Sequence, residues 1–344
     1  MPSETRPPGV QQHFLRADMP PMRTRLIAAA AALLAVCPVA LVSAPADGAT
    51  RYLPHTNCPV FPANNWWHAD ISALPVNARS AQWLSHMSPG IRLHPDFGPS
   101  YGAEPVGYGI PITVVGGAHA KVHVSFSYAS ESDRIRYPLG ADTRIEGGRS
   151  SGGDRHAIIV DKLTCRLYET FATRQASSGK WHAGSGASWI LTNNKLRPQG
   201  WTSADAAGLP ILPGLLRFGE VHSGYVDHAI RFTTDITDRR HVWPARHDAG
   251  SVSNRAYPPM GARFRLKASF PISSYRPDTQ TVLRAMKRFG LVLADNGSPW
   301  FFQGARSSLW QSGLLDQLKS IPASAFVAVD TSSLRVAANS ARTP

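Results

Sequence analysis

The chain has 344 residues, 43% of them hydrophobic, and a formal net charge of +13. This length and composition are sufficient for a sizeable hydrophobic core. The positive net charge favours an anionic partner such as a cell-wall or acidic polysaccharide. A nucleic acid partner is disfavoured, because the cationic residues are dispersed and no nucleic-acid-binding motif occurs.

Residues 1–49 have the features of a secretory leader. Arg23 and Arg25 precede an apolar run that ends near Ala44 and Ala46, where small residues favour cleavage. The run is shorter than the roughly 20 residues of a membrane anchor, and no second run of this kind follows. The sequence therefore predicts a secreted protein, extracellular or periplasmic, without an integral membrane span.

Cys58 and Cys165 are the two cysteines that remain once the leader is removed. An even pair in an exported chain indicates one disulfide, because oxidising compartments disfavour free thiols. Such a bond would tie the N-terminal segment to the middle of the chain.

Glycine and proline, 28 of each, divide the chain into short segments rich in Val, Ile, Phe, Tyr and Trp. This pattern is typical of strands. We therefore expect a mainly β fold, with a jelly-roll-like or sandwich β domain over residues 50–275. The strands predicted best lie at 110–115, 121–128, 156–160, 165–171, 188–192, 229–234, 263–270 and 291–294.

Helical periodicity is confined to the last third of the chain. Asp278 can cap a helix that stops at Gly290, and a second helix is predicted over 307–319. The sequence thus predicts a C-terminal α+β segment at 276–335, packed on the β domain of a monomer.

A carboxylate lies on the apolar face of the second strand of the predicted hairpin. Because side chains alternate between the faces of a strand, Glu169 shares its face with Leu167 and Phe171. A carboxylate in such surroundings needs a partner or has a raised pKa, which suits a general acid. Glu169 is the predicted acid, and the alternative is a structural ion pair with Arg155.

Predicted strand ends supply further catalytic candidates. Asp154 and His156 follow a glycine-rich loop, and Asp96 lies close to His94 in a second loop. Polar groups beside such loops are common in active sites. Asp154 and Asp96 are candidates for a second carboxylate and His156 for a proton-transfer group, although His156 could be a core histidine and Asp96 a turn residue.

Further residues are candidates for holding a sugar chain, since arginine binds carboxylates bidentately and sugars stack on aromatic faces. Arg265 and Lys267 share one basic strand face, which could line a groove for an anionic chain or be an ordinary solvated face. No metal-binding spacing, phosphate loop, dinucleotide motif or serine elbow occurs, so no metal or cofactor is predicted. The candidate substrate-binding residues are His94, His228, Arg231, Arg246, His247, Arg265, Lys267, Asp295 and Trp300.

We expect the chemically active candidates to meet in one cleft, because each lies at a predicted strand end or on an inward face. Convergence of such groups is what distinguishes an active site from scattered surface residues. The residues expected to converge are Asp96, Asp154, His156, Glu169, His228 and Asp295.

Several short sequence motifs resemble those of an uncharacterised family of secreted bacterial proteins. They are LHPDFG at 93–98, GDRH at 153–156, WTSADAAGLPILPG at 201–214, VWPARH at 242–247 and ADNGSPW at 294–300. The resemblance covers most of the chain after the leader and implies no particular activity.

The residue types favour a carbohydrate-active enzyme, namely a glycoside hydrolase that acts on an extracellular or cell-wall polysaccharide through paired carboxylates. One alternative is a lyase for an acidic polysaccharide, with His156 or His228 as the base. The other is a non-catalytic protein that binds a glycan or the cell wall.

Overall fold

Short strands and few helices make up the protein in the computed structural model, which describes residues 52–99 and 108–344. These described residues belong to one compact unit. The predicted leader at 1–49 lies outside them. Within the described ranges, no helix is both long enough and apolar enough to cross a membrane.

Fifteen strands and four α-helices follow one another along the described residues. The strands are β1 His94–Asp96, β2 Ile112–Val115, β3 Val124–Phe126, β4 Ala157–Asp161, β5 Arg166–Phe171, β6 Arg174–Gln175, β7 Trp181–Ala183, β8 Ser185–Ile190, β9 Ile230–Thr234, β10 Asp238–His241, β11 Pro259–Met260, β12 Arg263–Leu266, β13 Leu291–Asn296, β14 Phe301–Gln303 and β15 Phe326–Val329. The α-helices are α1 Ser80–Ser85, α2 Phe218–His222, α3 Pro277–Arg288 and α4 Ser312–Leu318.

The strands form four sheets, which confirms the predicted mainly β fold. The largest sheet has the order β1-β14-β9-β13-β12-β15, and the others are β2-β4-β5-β8, β3-β7-β6 and β10-β11. The largest sheet is mixed: β9 and β13 run parallel, whereas β12 is antiparallel to both β13 and β15.

The six-stranded sheet combines strands from distant parts of the chain. β13, β14 and β15 belong to the predicted C-terminal segment, yet they pair with β1, β9 and β12 of the predicted β domain. The buried side chains of α3, among them Val282 and Met286, lie in the same core as Phe232 and Phe264. Residues 276–335 thus share both sheet and core with the rest of the described chain.

The central hairpin forms as predicted. β4 and β5 are antiparallel, and Ile158 lies opposite Glu169. Leu167 packs in the main core, whereas its neighbour Tyr168 packs in a second, smaller core that includes Trp181. The predicted alternation of the two faces is therefore confirmed.

The predicted disulfide is also confirmed. Cys58 and Cys165 are bonded, with their Cα atoms 5.1 Å apart. The bond joins the N-terminal part of the described chain to the residue just before β5.

Some predicted boundaries differ from the structure. His94–Asp96 is strand β1 and not a loop, because it pairs in parallel with β14, a partner about two hundred residues away. The first predicted helix begins at Pro277 and places Asp278 in its first turn, because proline is well suited to the first helical position. The second predicted helix is shorter, at Ser312–Leu318.

Candidate functional site

Two adjoining clefts meet at Asp154, Asp295 and Asn296, which line both of them. The first, which we call the carboxylate cleft, has a volume of about 340 Å³ and includes Asp96 and Glu146. The second, the side cleft, has a volume of about 550 Å³. Both volumes are within the usual range for ligand-binding sites, which is about 300 to 1,000 Å³.

A row of polar side chains crosses the six-stranded sheet on the face of the carboxylate cleft. Asp96 on β1 lies opposite Gln303 on β14. Phe302 lies opposite Phe232, so Gln303 is placed beside Arg231 on β9. The Arg231 Nη1 donates to the Gln303 Oε1 at 2.6 Å, which fixes the orientation of the guanidinium.

A bulge in β13 adds Asp295 to this row. Leu293 pairs with Phe232 but Asp295 pairs with Thr233, so Ala294 is an extra residue in β13. In a regular register Ala294 would lie opposite Thr233, and Asp295 would lie opposite Thr234 on the other face of the sheet. The bulge therefore turns the Asp295 carboxyl toward Arg231, as bulges next to functional sites commonly do.

Asp205 and Arg231 form a buried ion pair beneath Asp295. The Arg231 Nε and Nη2 donate to the two Asp205 carboxylate oxygens at 2.9 and 2.6 Å. The Asp295 side chain, which is 24% exposed, lies 3.7 Å from the Arg231 Nη2. Burial raises the pKa of Asp295 well above its ordinary value, and the adjacent Asp205 carboxylate raises it further, although Arg231 opposes both effects.

Glu146 and His156 form a second ion pair in the carboxylate cleft. The His156 Nδ1 lies 2.6 Å from the Glu146 Oε2, which also accepts from the His156 backbone N–H. Burial alone lowers the pKa of His156, but the Glu146 carboxylate outweighs it and raises that pKa to about 9. The imidazole is therefore charged at neutral pH.

The glycine-rich loop that leads to Asp154 is held by Arg155. The buried guanidinium of Arg155 donates to the carbonyl oxygens of Gly148, Arg149, Ser151 and Thr173. Gly148 has φ +95°, a conformation that favours glycine. Asp154 is exposed, and its carboxylate has no hydrogen-bond partner among the residues that the structure describes.

The structure brings together four of the six residues expected to converge: Asp96, Asp154, His156 and Asp295 line the carboxylate cleft. His94 stacks on Phe301, with ring centroids 4.0 Å apart, and does not line either cleft. Arg231 lines the carboxylate cleft and His247 the side cleft, so these two predicted substrate-binding residues are placed at the site.

Glu169 does not reach either cleft, which corrects its predicted placement. Its carboxylate is fully buried and accepts hydrogen bonds from the backbone N–H groups of Ile211 and Leu212, at 2.8 to 3.1 Å. Arg155, the alternative partner, bonds to loop carbonyls instead. Burial raises the pKa of Glu169 to about 7, although the two backbone donors oppose the shift.

Two further candidates lie in the interior. The buried His228 contacts Glu220, with its Nε2 3.0 Å from the Glu220 Oε1. Trp300 is fully buried and donates its indole N–H to the Met87 carbonyl oxygen. Neither residue can contact a ligand in the clefts.

The remaining basic candidates hold backbone carbonyls. Arg246 donates to Arg197 and Ala338, Arg265 to Ser72 and Leu74, and Lys267 to Ser324. None of these three cations lines either cleft. The predicted basic groove on the strand at 263–270 is therefore replaced by contacts that fix neighbouring loops.

Three residues of the site were not predicted from the sequence: Glu146, Asp205 and Gln303. The sequence signal for Asp205 was a single carboxylate flanked by Ala204 and Ala206, just before an apolar segment. Among the described residues, no cluster of His, Cys, Asp and Glu has the arrangement of a metal site.

The site is thus a junction of two clefts at which an exposed carboxylate, Asp154, and a partly buried carboxyl, Asp295, are brought together. The resemblance to a family of secreted bacterial proteins stays a prediction. Comparison of the chain with protein-family models, curated proteins and solved structures finds no match.

Proposed function

We propose that this chain is a secreted glycoside hydrolase that cleaves a polysaccharide at the junction of the two clefts. The observation that supports it most is that two carboxyl groups, one largely buried and one exposed, line the same junction. Asp295 is desolvated beside Asp205, and Asp154 is exposed to solvent. Glycosidases use two such groups, one protonated and one ionised.

Asp295 is the proposed general acid, in place of Glu169. Asp205 accepts two hydrogen bonds from Arg231 beside it, and burial together with this acidic neighbour raises the pKa of Asp295. The raised pKa favours the protonated form of Asp295, which can donate its proton to the oxygen of the glycosidic bond.

Asp154 is the proposed second carboxylate. It lines both clefts, as Asp295 does, whereas Asp96 lines the carboxylate cleft alone. A sugar chain that crosses the junction would be within reach of both Asp154 and Asp295, because both residues line both clefts. Asp154 would then act as nucleophile or as the base that activates water.

A neutral glycan suits the carboxylate cleft better than an acidic one. The cleft brings together Asp96, Glu146, Asp154 and Asp295, and the cations beside them are already paired, Arg231 with Asp205 and His156 with Glu146. Among the described lining residues no unpaired cation remains for a uronic acid, and the exposed Asp154 would repel its carboxylate. Because the carboxylate cleft and the side cleft adjoin, they favour a polymer that extends on both sides of the cleaved bond.

The lyase alternative is weaker, because both of its candidate bases are unsuitable. His156 is charged at neutral pH through its contact with Glu146, and His228 is buried away from both clefts. A base must be unprotonated and within reach of the proton that it removes.

The test is a screen of purified protein against neutral and acidic polysaccharides, with reducing ends measured for hydrolysis and ultraviolet absorbance for unsaturated lyase products. The variants are Asp295→Asn and Asp154→Asn. Asp316→Asn is the control, because Asp316 is an exposed carboxylate outside both clefts.

The proposal expects new reducing ends from a neutral glycan with the wild type and the control, and loss of that activity in both cleft variants. Unsaturated products from an acidic glycan would establish a lyase instead. Binding of a glycan without any cleavage would establish a non-catalytic binding protein.

A further inference from the structure

A separate cavity of about 600 Å³ lies beside the edge strand β8 and the segment 193–199. It is larger than either cleft at the candidate site and shares no lining residue with them. We call it the basic cavity, because its charged lining residues are Arg166, Lys195, Arg197, Arg246 and the single carboxylate Asp133.

The only carboxylate that lines the basic cavity, among the described residues, is already engaged. Asp133 Oδ2 accepts from the Arg197 Nη1 at 2.6 Å and from the Ser188 backbone N–H at 2.8 Å. Four cations against one paired carboxylate leave an excess of positive charge around the cavity. The carboxylate cleft has the opposite balance, so the two sites attract different ligands.

Two of the four cations are fixed parts of the wall. The Arg197 guanidinium lies over the rings of Trp189 and Trp201, 5.6 and 5.5 Å from their centroids, and donates to the carbonyl oxygens of Glu131 and Thr202. Arg246 is fixed by carbonyl oxygens and by the Asn339 side chain. Their charges are therefore held in place before a ligand arrives.

The other two cations retain donors for a ligand. Lys195 is exposed, and its ammonium group has no side-chain partner among the described residues. Arg166 is half-buried, and within the part of the chain that the structure describes its guanidinium donates through Nη1 alone, to the Ser188 hydroxyl at 3.2 Å. The exposed amides of Asn193 and Gln199 lie in the same wall. The Asn193 Oδ1 accepts from the Lys195 backbone N–H and the Gln199 Nε2 contacts the His241 Nε2, so the Asn193 NH₂ and the Gln199 Oε1 are the groups that could bind hydroxyl groups.

We infer that the basic cavity binds a carboxylate-bearing oligosaccharide. Arg166 and Lys195 would pair with the sugar carboxylates, since a guanidinium or ammonium and a carboxylate make strong charge-assisted hydrogen bonds. The amide groups would take the sugar hydroxyls, and the cavity volume is typical of ligand sites. This inference does not depend on the proposed hydrolase activity, because it concerns binding at a different place.

The experiment is titration calorimetry of the full protein with trigalacturonate, and with a neutral trisaccharide, maltotriose, as the comparison ligand. The test variant carries Arg166→Gln and Lys195→Gln. The matched control carries Lys162→Gln and Lys180→Gln. It also removes two positive charges, but from exposed positions outside the cavity. Thermal unfolding of each variant shows that it is folded.

The expected result is binding of trigalacturonate but not of maltotriose, with affinity that decreases as salt is added. The dissociation constant should rise at least tenfold in the cavity variant and stay within twofold in the control. Equal weakening in both variants would overturn the inference, since it would show attraction by net charge alone. No binding by the wild type, or unchanged binding by the folded cavity variant, would also overturn it.

Discussion

Arg231 donates two hydrogen bonds to the Asp205 carboxylate in the protein interior, where Arg231 is 2% exposed and Asp205 is fully buried. Asp295 lies 3.7 Å from the same guanidinium. The Arg231 guanidinium thus makes two hydrogen bonds to Asp205 but only a longer ionic contact to Asp295. Burial and the adjacent Asp205 therefore raise the pKa of Asp295 well above its ordinary value, although Arg231 opposes both effects.

Removing Arg231 should be costly for folding. Arg231→Met would leave the Asp205 charge buried without a partner, and loss of one member of a buried ion pair typically costs about 3 to 5 kcal/mol. The double variant with Asp205→Asn should recover part of this loss, since neither position of the former ion pair then carries a charge. Urea unfolding at neutral pH measures both. Equal losses in the single and double variants would contradict this account.

Asp295 should control the alkaline limit of catalysis. Asp295→Asn removes the proton donor, and loss of general acid catalysis typically costs 10²- to 10⁴-fold in rate. In the wild type, kcat/KM on the substrate found by the screen should decrease as pH rises through the raised pKa of Asp295. Asp205→Asn removes the neighbouring negative charge, so that limit should move to lower pH. An alkaline limit of kcat/KM that does not move in Asp205→Asn would contradict the effect of Asp205 on the pKa of Asp295.

The Glu146–His156 pair should stabilise the fold at neutral pH. The pKa of His156 is raised from 6.5 to about 9, so its contribution is fully present below pH 6.5 and is lost as pH rises toward 9. By linkage this contribution is about 3 kcal/mol. In Glu146→Gln burial should dominate and lower the His156 pKa, as nuclear magnetic resonance titration of the imidazole would show. An unchanged pKa would contradict the role of Glu146.

Glu169 should affect stability rather than catalysis. Its pKa is raised from 4.5 to about 7, so the folded state binds the extra proton between these values. Its contribution is therefore fully present below pH 4.5 and lost as pH rises to about 7, by up to about 3 kcal/mol.

The test for Glu169 is the Glu169→Gln variant, in which this decrease between pH 4.5 and 7 should be absent from the unfolding free energy. Its activity should be close to that of the wild type, because the side chain lies outside both clefts. A folded variant without activity would place Glu169 back among the groups required for catalysis.

The disulfide should contribute strongly to stability. Cys58 and Cys165 are 107 residues apart in sequence, and closing a loop of this size is worth about 4 to 5 kcal/mol in the chain-entropy model. The double variant Cys58→Ser, Cys165→Ser should lose about this amount in urea unfolding. Wild type unfolded in the presence of a reductant should match it, and a loss below about 1 kcal/mol would contradict the entropic account.

Several features follow from the sequence because they depend on neighbouring residues. The period-two pattern of 165–171 is enough to assign Leu167 and Tyr168 to opposite faces, since alternation is a local property of a strand. The apolar spacing from Val282 to Phe289 likewise defines the buried side of α3. The disulfide, although it joins distant residues, was predicted from the cysteine count together with the predicted leader.

The residues that meet at the candidate site depend on strand pairing between distant segments. Asp96, Gln303 and Arg231 form a row because β1, β14 and β9 are neighbours, and nothing in any one segment specifies its partner. Asp295 joins them through a bulge that appears only in the register of β13 against β9.

Glu169 shows why a correct local assignment did not predict a role. The sequence determined that this carboxylate lies on an inward strand face, and the structure agrees. Only the tertiary structure decided what that face meets, namely the backbone N–H groups of Ile211 and Leu212 at the start of a short 3₁₀ helix. An inward face can end at a core or at a cleft, and the difference depends on the packing of segments that the alternation of side chains cannot describe.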